Sequence, residues 1–172
     1  AERQFNVNFF GAVRMCRAVL PIMRKQGFGR IVNIGSVAGD IAIPFQSFYS
    51  AAKAALCSYT LALINEMREF NITAVCIEPG DIRTGFTAAR HKNTYGDDIY
   101  NGRISRSVEK MEKDEQTGMS PETAGKYIAK IASKQSSKPV LIIGAQYKAL
   151  GLLKKLLPLS LTNRIVGAIY AK

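Results

Sequence analysis

Apolar residues recur at three-and-four spacing from about Phe5 to Lys25, where Val7, Phe10, Val13, Val19, Leu20 and Met23 fall on the repeat, and Gln26 to Gly29 follow as a stop. That period predicts a helix with one apolar face. The pattern then changes: Arg30 to Gly35 (RIVNIG) is a short, mostly apolar run bounded by glycines, as a parallel strand covered on both faces requires. A loop to about Phe48 separates it from a second helical stretch, Tyr49 to Phe70, rich in helix formers. Close behind comes a second buried-strand pattern, ITAVCIE, closed by Gly80. Helix, strand, helix, strand with short connections predicts an α/β fold with a doubly wound parallel sheet in three layers, helix on sheet on helix.

The rhythm is lost between about Ile82 and Met119, where the chain is polar, charged and weakly periodic. A structureless connection that long is uncommon in a compact domain unless it covers a site, so a lid is expected there. Order returns at Ser120, an N-cap followed by Pro121 at the first helical position and by Glu122 and Thr123 in the first turn. Lys138 to Gly144 (KPVLIIG) reads as a last buried strand. After it, Gln146 to Leu157 can form an amphipathic helix with Lys148, Lys154 and Lys155 off its apolar side, stopped at Pro158. No repeat, low-complexity tract or linker divides the chain. It is read as one domain over 1–172: a core at 1–86, a substrate lid at 87–119, the last helix and strand at 120–146, and a basic amphipathic extension at 147–172.

Composition narrows the classes. At 172 residues, 47% apolar and 22% charged, the chain has the size and balance of one globular domain and excludes disordered, collagen-like and coiled-coil readings. Cys16, Cys57 and Cys76 lie 41 and 19 residues apart, neither a disulfide set nor a ligand-pair spacing. They read as small buried apolar residues in a reduced, cytoplasmic protein. With one histidine and no CxxC, no metal site is expected. No apolar run reaches the roughly 18 residues of a membrane span, and the first segment lacks a signal-peptide pattern. The net charge of +11 is lopsided, because nine lysines and arginines follow the last acidic residue, Glu122. Solvated helix faces and a basic tail account for this, and no nucleic-acid partner is expected. For the leucine- and lysine-rich segment from Tyr147 to Lys172, an oligomer contact or a flap over the pocket is weighed ahead of peripheral contact with anionic lipid.

Tyr49 and Lys53, four apart at the start of a helix, share a face with Cβ atoms about 5–6 Å apart. A neighbouring ammonium favours the phenolate, so Lys53 is expected to lower the Tyr49 pKa from near 10 and make the pair a proton donor and acceptor. Ser36 lies just past the RIVNIG strand, at the carboxyl end where open α/β sheets bind ligands, placed to hold a carbonyl oxygen beside Tyr49. Taken singly, each has a bland alternative: a loop serine, a half-exposed tyrosine, a surface lysine. Together, with Ser36 standing 13 residues before Tyr49 and the tyrosine opening the next helix, they form a specific constellation.

In that arrangement the sequence resembles the short-chain dehydrogenase/reductase family. The resembling blocks are VNFFG around Asn8, GRIVNIGSVAG, YSAAKAAL and IEPGDIRTGF, in order and over most of Asn6 to Phe86. The resemblance implies the C-terminal part of a Rossmann-like sheet. It also implies an NAD(P)-dependent oxidoreductase interconverting an alcohol and a ketone or aldehyde, assembled as a homodimer or homotetramer. In that frame Tyr49 is the catalytic acid/base, Lys53 lowers its pKa and holds the nicotinamide ribose, Ser36 orients the substrate carbonyl, and Asn8 supports a water-linked relay to Lys53. Pro79, Gly80, Ile82 and Thr84 match the segment that packs on the nicotinamide, with Thr84 near its carboxamide. Asp81 and Arg83 are read as a solvated pair, and His91 is given no catalytic role. Phe45, Phe48 and Phe86 flank the site, either as lining of an apolar pocket or as core, and with the leucine-rich extension they favour an apolar substrate.

One family element has no counterpart here. Gly27 and Gly29 precede a strand instead of following one, so the glycine-rich turn that holds a pyrophosphate is missing, and by resemblance it would lie before Ala1 together with the residue that selects NAD or NADP. The competing reading is therefore a truncated, non-catalytic interaction module that cannot hold a dinucleotide.

Overall fold

A computed structural model describes residues 1–92, 95–134 and 137–171; Lys172 of the expected basic tail, and positions 93 and 94 of the expected lid, lie outside these. The chain opens with α1 (Glu2–Phe5), a π-helical turn (Asn6–Phe10) and α2 (Gly11–Gln26), continuous in right-handed helical backbone. The helix thus begins before Phe5, and it stops where the sequence places its stop, at Gly27 with φ 76°. Next come β1 (Gly29–Ile34), one helical turn α3 (Val37–Asp40), and α4 (Ser47–Glu66). A short 3₁₀ turn, Arg68–Phe70, leads into β2 (Ile72–Pro79).

Three strands make one parallel sheet in the order β1-β2-β3, with β3 at Val140–Ile143. β1 pairs with β2 from Gly29↔Ile72 to Ile34↔Ile77, and β2 pairs with β3 from Cys76↔Val140 to Pro79↔Ile143. β2 is the hub, and Val75, Cys76 and Ile77 within it are 0% exposed. Alternate β2 side chains feed opposite layers, as strand geometry requires. Ala74 packs with Cys16, Ile31 and Leu63 under α2 and α4, while Val75 and Ile77 pack with Ile143 and the half-buried Ile128 and Ile131 of α6 (Pro121–Ala132). A buried hydrogen bond of 2.9 Å from Asn33 to Thr60 pins β1 to α4. At α6 the Ser120 cap forms as expected, its hydroxyl accepting from the Thr123 N–H at 3.2 Å.

Two elements depart from the sequence reading. The expected structureless lid contains α5 (Arg103–Gln116), a 14-residue helix that buries Ser107 and Met111. Its apolar side is narrow, and charge pairs secure much of it: Arg90 with Glu115, Lys92 with Glu112 at 2.9 Å, and Lys110 with Asp114. The extension forms the expected helix, α7 (Ala145–Leu156), but continues into an unexpected second one, α8 (Leu159–Tyr170), with Pro158 ending one and starting the other. Val166 of α8 packs with Val37 and Ile41, which seats the extension on α3.

Candidate active site

The carboxyl end of β1 runs hard against β2. The Gly35 N–H donates to the Ile77 carbonyl at 2.7 Å, and a Cβ at position 35 would lie 2.8 Å from the Cys76 Sγ. Ser36 leaves the strand extended and caps α3, its Oγ accepting from the Ala38 N–H at 3.1 Å. α3 in turn lies tight on α4, since a Cβ on Gly39 would come within 2.9 Å of the Ala54 nitrogen. This contact fixes the first turns of α4, and so Tyr49 and Lys53, relative to Ser36.

The Lys53 Nζ donates to the Ile34 carbonyl at 2.8 Å and lies 5.8 Å from the Tyr49 ring centroid. The expected lowering of the Tyr49 pKa by Lys53 does not hold. Burial pushes the tyrosine hydroxyl above its ordinary value, a hydrogen bond with Ser36 opposes this, and the negative charges of Glu115 and Asp81 add to the rise. Burial pushes the Lys53 ammonium below its ordinary value. The phenol is thus held in its protonated form.

Asn8 lies in the π-helical turn, a feature often found at functional sites. Its amide donates to the Gln4 Oε1 at 2.8 Å and the Gln4 carbonyl at 3.2 Å, so these bonds run to its own helix and not to Lys53. At the end of β2, the Gly80 N–H donates to the Ile143 carbonyl at 3.1 Å, and Ile82 bridges to Met119. The Tyr147 ring lies so close over Gly80 that a Cβ there would be 1.9 Å from it. Thr84 is exposed and accepts from the Phe86 N–H at 3.2 Å.

Asp81 is not the solvated partner of Arg83. It is half-buried and accepts a hydrogen bond from the Tyr147 hydroxyl, while Arg83 is exposed. Burial raises the Asp81 pKa, the Tyr147 bond works against this, and the nearby Asp114 and Glu115 raise it further. Lys154, expected on a solvated face, instead straps α7 to α3 by donating to the Asp40 carbonyl at 2.7 Å and to its carboxylate. His91 is exposed.

One cavity of about 430 Å³ is lined by Asn8, Ser36, Tyr49, Lys53, Pro79, Gly80, Ile82 and Thr84, together with Phe86, whose ring is 6.3 Å from that of Tyr49. Phe45 and Phe48 are absent from that lining: Phe45, at φ 61°, packs edge-on against Tyr100, and Phe48 is 54% exposed. The opposite wall comes from the expected lid and the leucine-rich extension, through residues the sequence reading did not single out: Met111, Asp114 and Glu115 of α5 and Leu150, Leu153, Ile165 and Ile169 of α7 and α8. The donor set suits the nicotinamide end of a dinucleotide. An ammonium has three N–H donors and Lys53 spends one on Ile34, leaving two for ribose hydroxyls, beside a wall of Pro79, Gly80 and Ile82.

Residues 1–94 match the family profile described as short chain dehydrogenase. The chain is 43% identical over 135 residues to the 3-ketodihydrosphingosine reductase of Bacteroides thetaiotaomicron, covering 77% of this chain and 50% of that protein. It is 32% identical over 148 residues to retinol dehydrogenase 8 of Bos taurus, covering 81% of this chain and 47% of that one. The crystal structure of a short-chain dehydrogenase from Streptomyces avermitilis is similar with a TM-score of 0.65 at 27% identity, over 88% of this chain and 56% of the other. The chain spans about half the length of these relatives. Profile, fold and site together place it in one family: this chain belongs to the short-chain dehydrogenases.

Proposed function

We propose that the protein containing this chain is an NAD(P)-dependent oxidoreductase that interconverts a ketone or aldehyde and an alcohol in the cavity around Tyr49. The observation that carries this is the convergence of Ser36, Tyr49 and Lys53, from two elements, on the same cavity as the Pro79–Thr84 segment. A bound nicotinamide supplies or takes up the hydride. Ser36 orients the substrate oxygen. Tyr49, held protonated by burial and by the carboxylates of Glu115 and Asp81, gives its proton to that oxygen in the direction of reduction. Lys53 holds the ribose hydroxyls, and Asn8 supports a water that refills the tyrosine. Pro79, Gly80 and Ile82 wall the nicotinamide, with Thr84 at its carboxamide.

An apolar substrate fits the wall of Leu150, Leu153, Ile165 and Ile169. The relatives named for reducing 3-ketodihydrosphingosine and for oxidising retinol support a lipid-like one. Asp81 favours a chain bearing an amino group near the ketone, because no ion pair reaches its carboxylate among the described residues. An ammonium beside Asp81 would also offset charges that hold the Tyr49 proton. Exposed Val7, Phe10 and Met15 on the first helix and Leu61 on α4 offer apolar surface for a homo-oligomer.

The test is NAD(P)H oxidation by the protein with long-chain 2-amino ketones and with their deaminated analogues. Turnover of the amino ketones that is lost in Tyr49→Phe is the expected result. Dinucleotide binding without turnover of any carbonyl compound would refute the enzymatic reading, and failure to bind NAD(P)H would favour the interaction-module alternative.

A further inference from the structure

The side chains of Cys57, Cys76 and Glu78 form a cluster the proposed reaction does not use. They are 19 and two residues apart in sequence, but α4 lies over β2 so that the two sulfurs and a carboxylate oxygen fall within 4.8 Å of one another. Cys76 is 0% and Glu78 4% exposed. A buried glutamate is almost always paired, because an isolated carboxylate loses its hydration on leaving water. Among the described residues no cation forms an ion pair with this one: Lys154, whose charge acts on it, is engaged by Asp40. The Cys57 thiol faces both Cys76 and Glu78, its pKa pushed up by them and by burial. Three groups that all become anionic when deprotonated thus face one another without a cation.

We propose that Cys57, Cys76 and Glu78 form a binding site for a thiophilic divalent cation of the zinc and cadmium class. Two thiolates and a carboxylate are a soft-leaning donor set that selects such metals over magnesium or calcium. Metal–ligand distances of about 2.0–2.3 Å place the donors of a tetrahedral site under about 4 Å apart, so the cluster closes on a cation by shifts of about an ångström. With three protein ligands the fourth position stays open. Binding exchanges the thiol protons for the metal: both sulfurs bond to the cation, their protons go to solvent, and no electron is transferred. The site touches the reaction centre without being part of it. Cys57 is one helical turn beyond Lys53, and Cys76 backs Gly35, the residue before Ser36.

The test is titration of the reduced full-length protein with cadmium, followed by thiolate-to-cadmium charge-transfer absorbance in the ultraviolet. One equivalent is expected to develop the band. Cys57→Ser and Cys76→Ser should each abolish it, Glu78→Gln should weaken binding at least tenfold, and Cys16→Ser should leave it unchanged. Absence of the band in the wild type, or an undiminished band in the Cys57→Ser/Cys76→Ser double variant, would overturn the proposal. Should the serine variants lose their fold by circular dichroism, wild-type protein alkylated with and without zinc and mapped by peptide mass decides the matter. Protection of Cys57 and Cys76 but not Cys16 upholds the site, and equal labelling with and without zinc overturns it. Neither readout depends on catalysis, so the result stands apart from the fate of the proposed reaction.

Discussion

The two walls of the cavity are built by different physics. The wall carrying Ser36, Tyr49 and Lys53 rests on the sheet: side chains at 0–4% exposure in β2, a buried Asn33–Thr60 hydrogen bond, and backbone contacts at Gly35 and Gly39 that admit no side chain. The facing wall, from α5, α7 and α8, is seated by one small apolar cluster around Val166 and otherwise joined by ion pairs, by the Lys154–Asp40 strap and by a few hydrogen bonds, with Leu152, Leu156 and Leu159 turned outward at 63%, 74% and 76% exposure. Close packing fixes catalytic groups to fractions of an ångström and resists change. A wall assembled from polar links over apolar lining is less stable locally and freer to vary with the substrate. In the proposed reaction, chemistry belongs to the first wall and substrate choice to the second.

Substitutions on each side can break this contrast. The largest effect is expected at Tyr49→Phe, which should lower kcat by about 10²–10⁴-fold with an unchanged circular dichroism spectrum; full activity would remove the tyrosine from the chemistry. Next, Ile77→Ala in β2 should cost about 2–5 kcal/mol in urea unfolding, as for other large-to-small core changes. Thr60→Val, which strands the Asn33 amide, should cost about 1–3 kcal/mol. On the facing wall, Tyr147→Phe removes one hydrogen bond to the half-buried Asp81 carboxylate and should cost about 1.5 kcal/mol, the low end for a bond to a charged group, while changing KM more than kcat. A loss there as large as that of Ile77→Ala would end the distinction between the walls.

A pH series sharpens it further. The Glu78 and Asp81 carboxyls have pKa values raised by burial, so the folded state holds their protons more tightly than the unfolded state. Their contribution is fully present below the ordinary carboxylate range and is lost as pH rises through the raised values. In metal-free buffer, Glu78→Gln should therefore flatten the fall in unfolding free energy across that window. An unchanged slope would mean that Glu78 titrates as in the unfolded chain.

The same division explains what could be read in the sequence. β1, β2 and α4 are legible because burial on two faces leaves continuous apolar runs, and because Ser36, Tyr49 and Lys53 keep fixed spacing at element ends. α5 is not, since a sequence such as RISRSVEKMEKDEQ has little apolar stripe and its partners Arg90 and Lys92 lie outside the helix. α8 was hidden by a leucine-rich tail in which Pro158 reads as a stop although it also starts the next helix. The lowered Tyr49 pKa failed because spacing along a helix reports proximity to Lys53 and not burial, which dominates here. Cys57, Cys76 and Glu78 come together only through the packing of α4 on β2, for which no spacing rule exists.

The place of β1 in the sheet bears on how the polypeptide behaves in solution. Among the described residues β1 is hydrogen-bonded to β2 on one side and to no strand on the other, an edge ladder whose last carbonyl, that of Ile34, is already taken by Lys53. Such an edge, next to an Ile34 that is 38% exposed, is a template for any extended chain that reaches it. Copies of this chain would pair strand to strand along that edge, and the yield of monomer would fall with concentration. A short extended peptide added in trans would compete for that ladder and restore it.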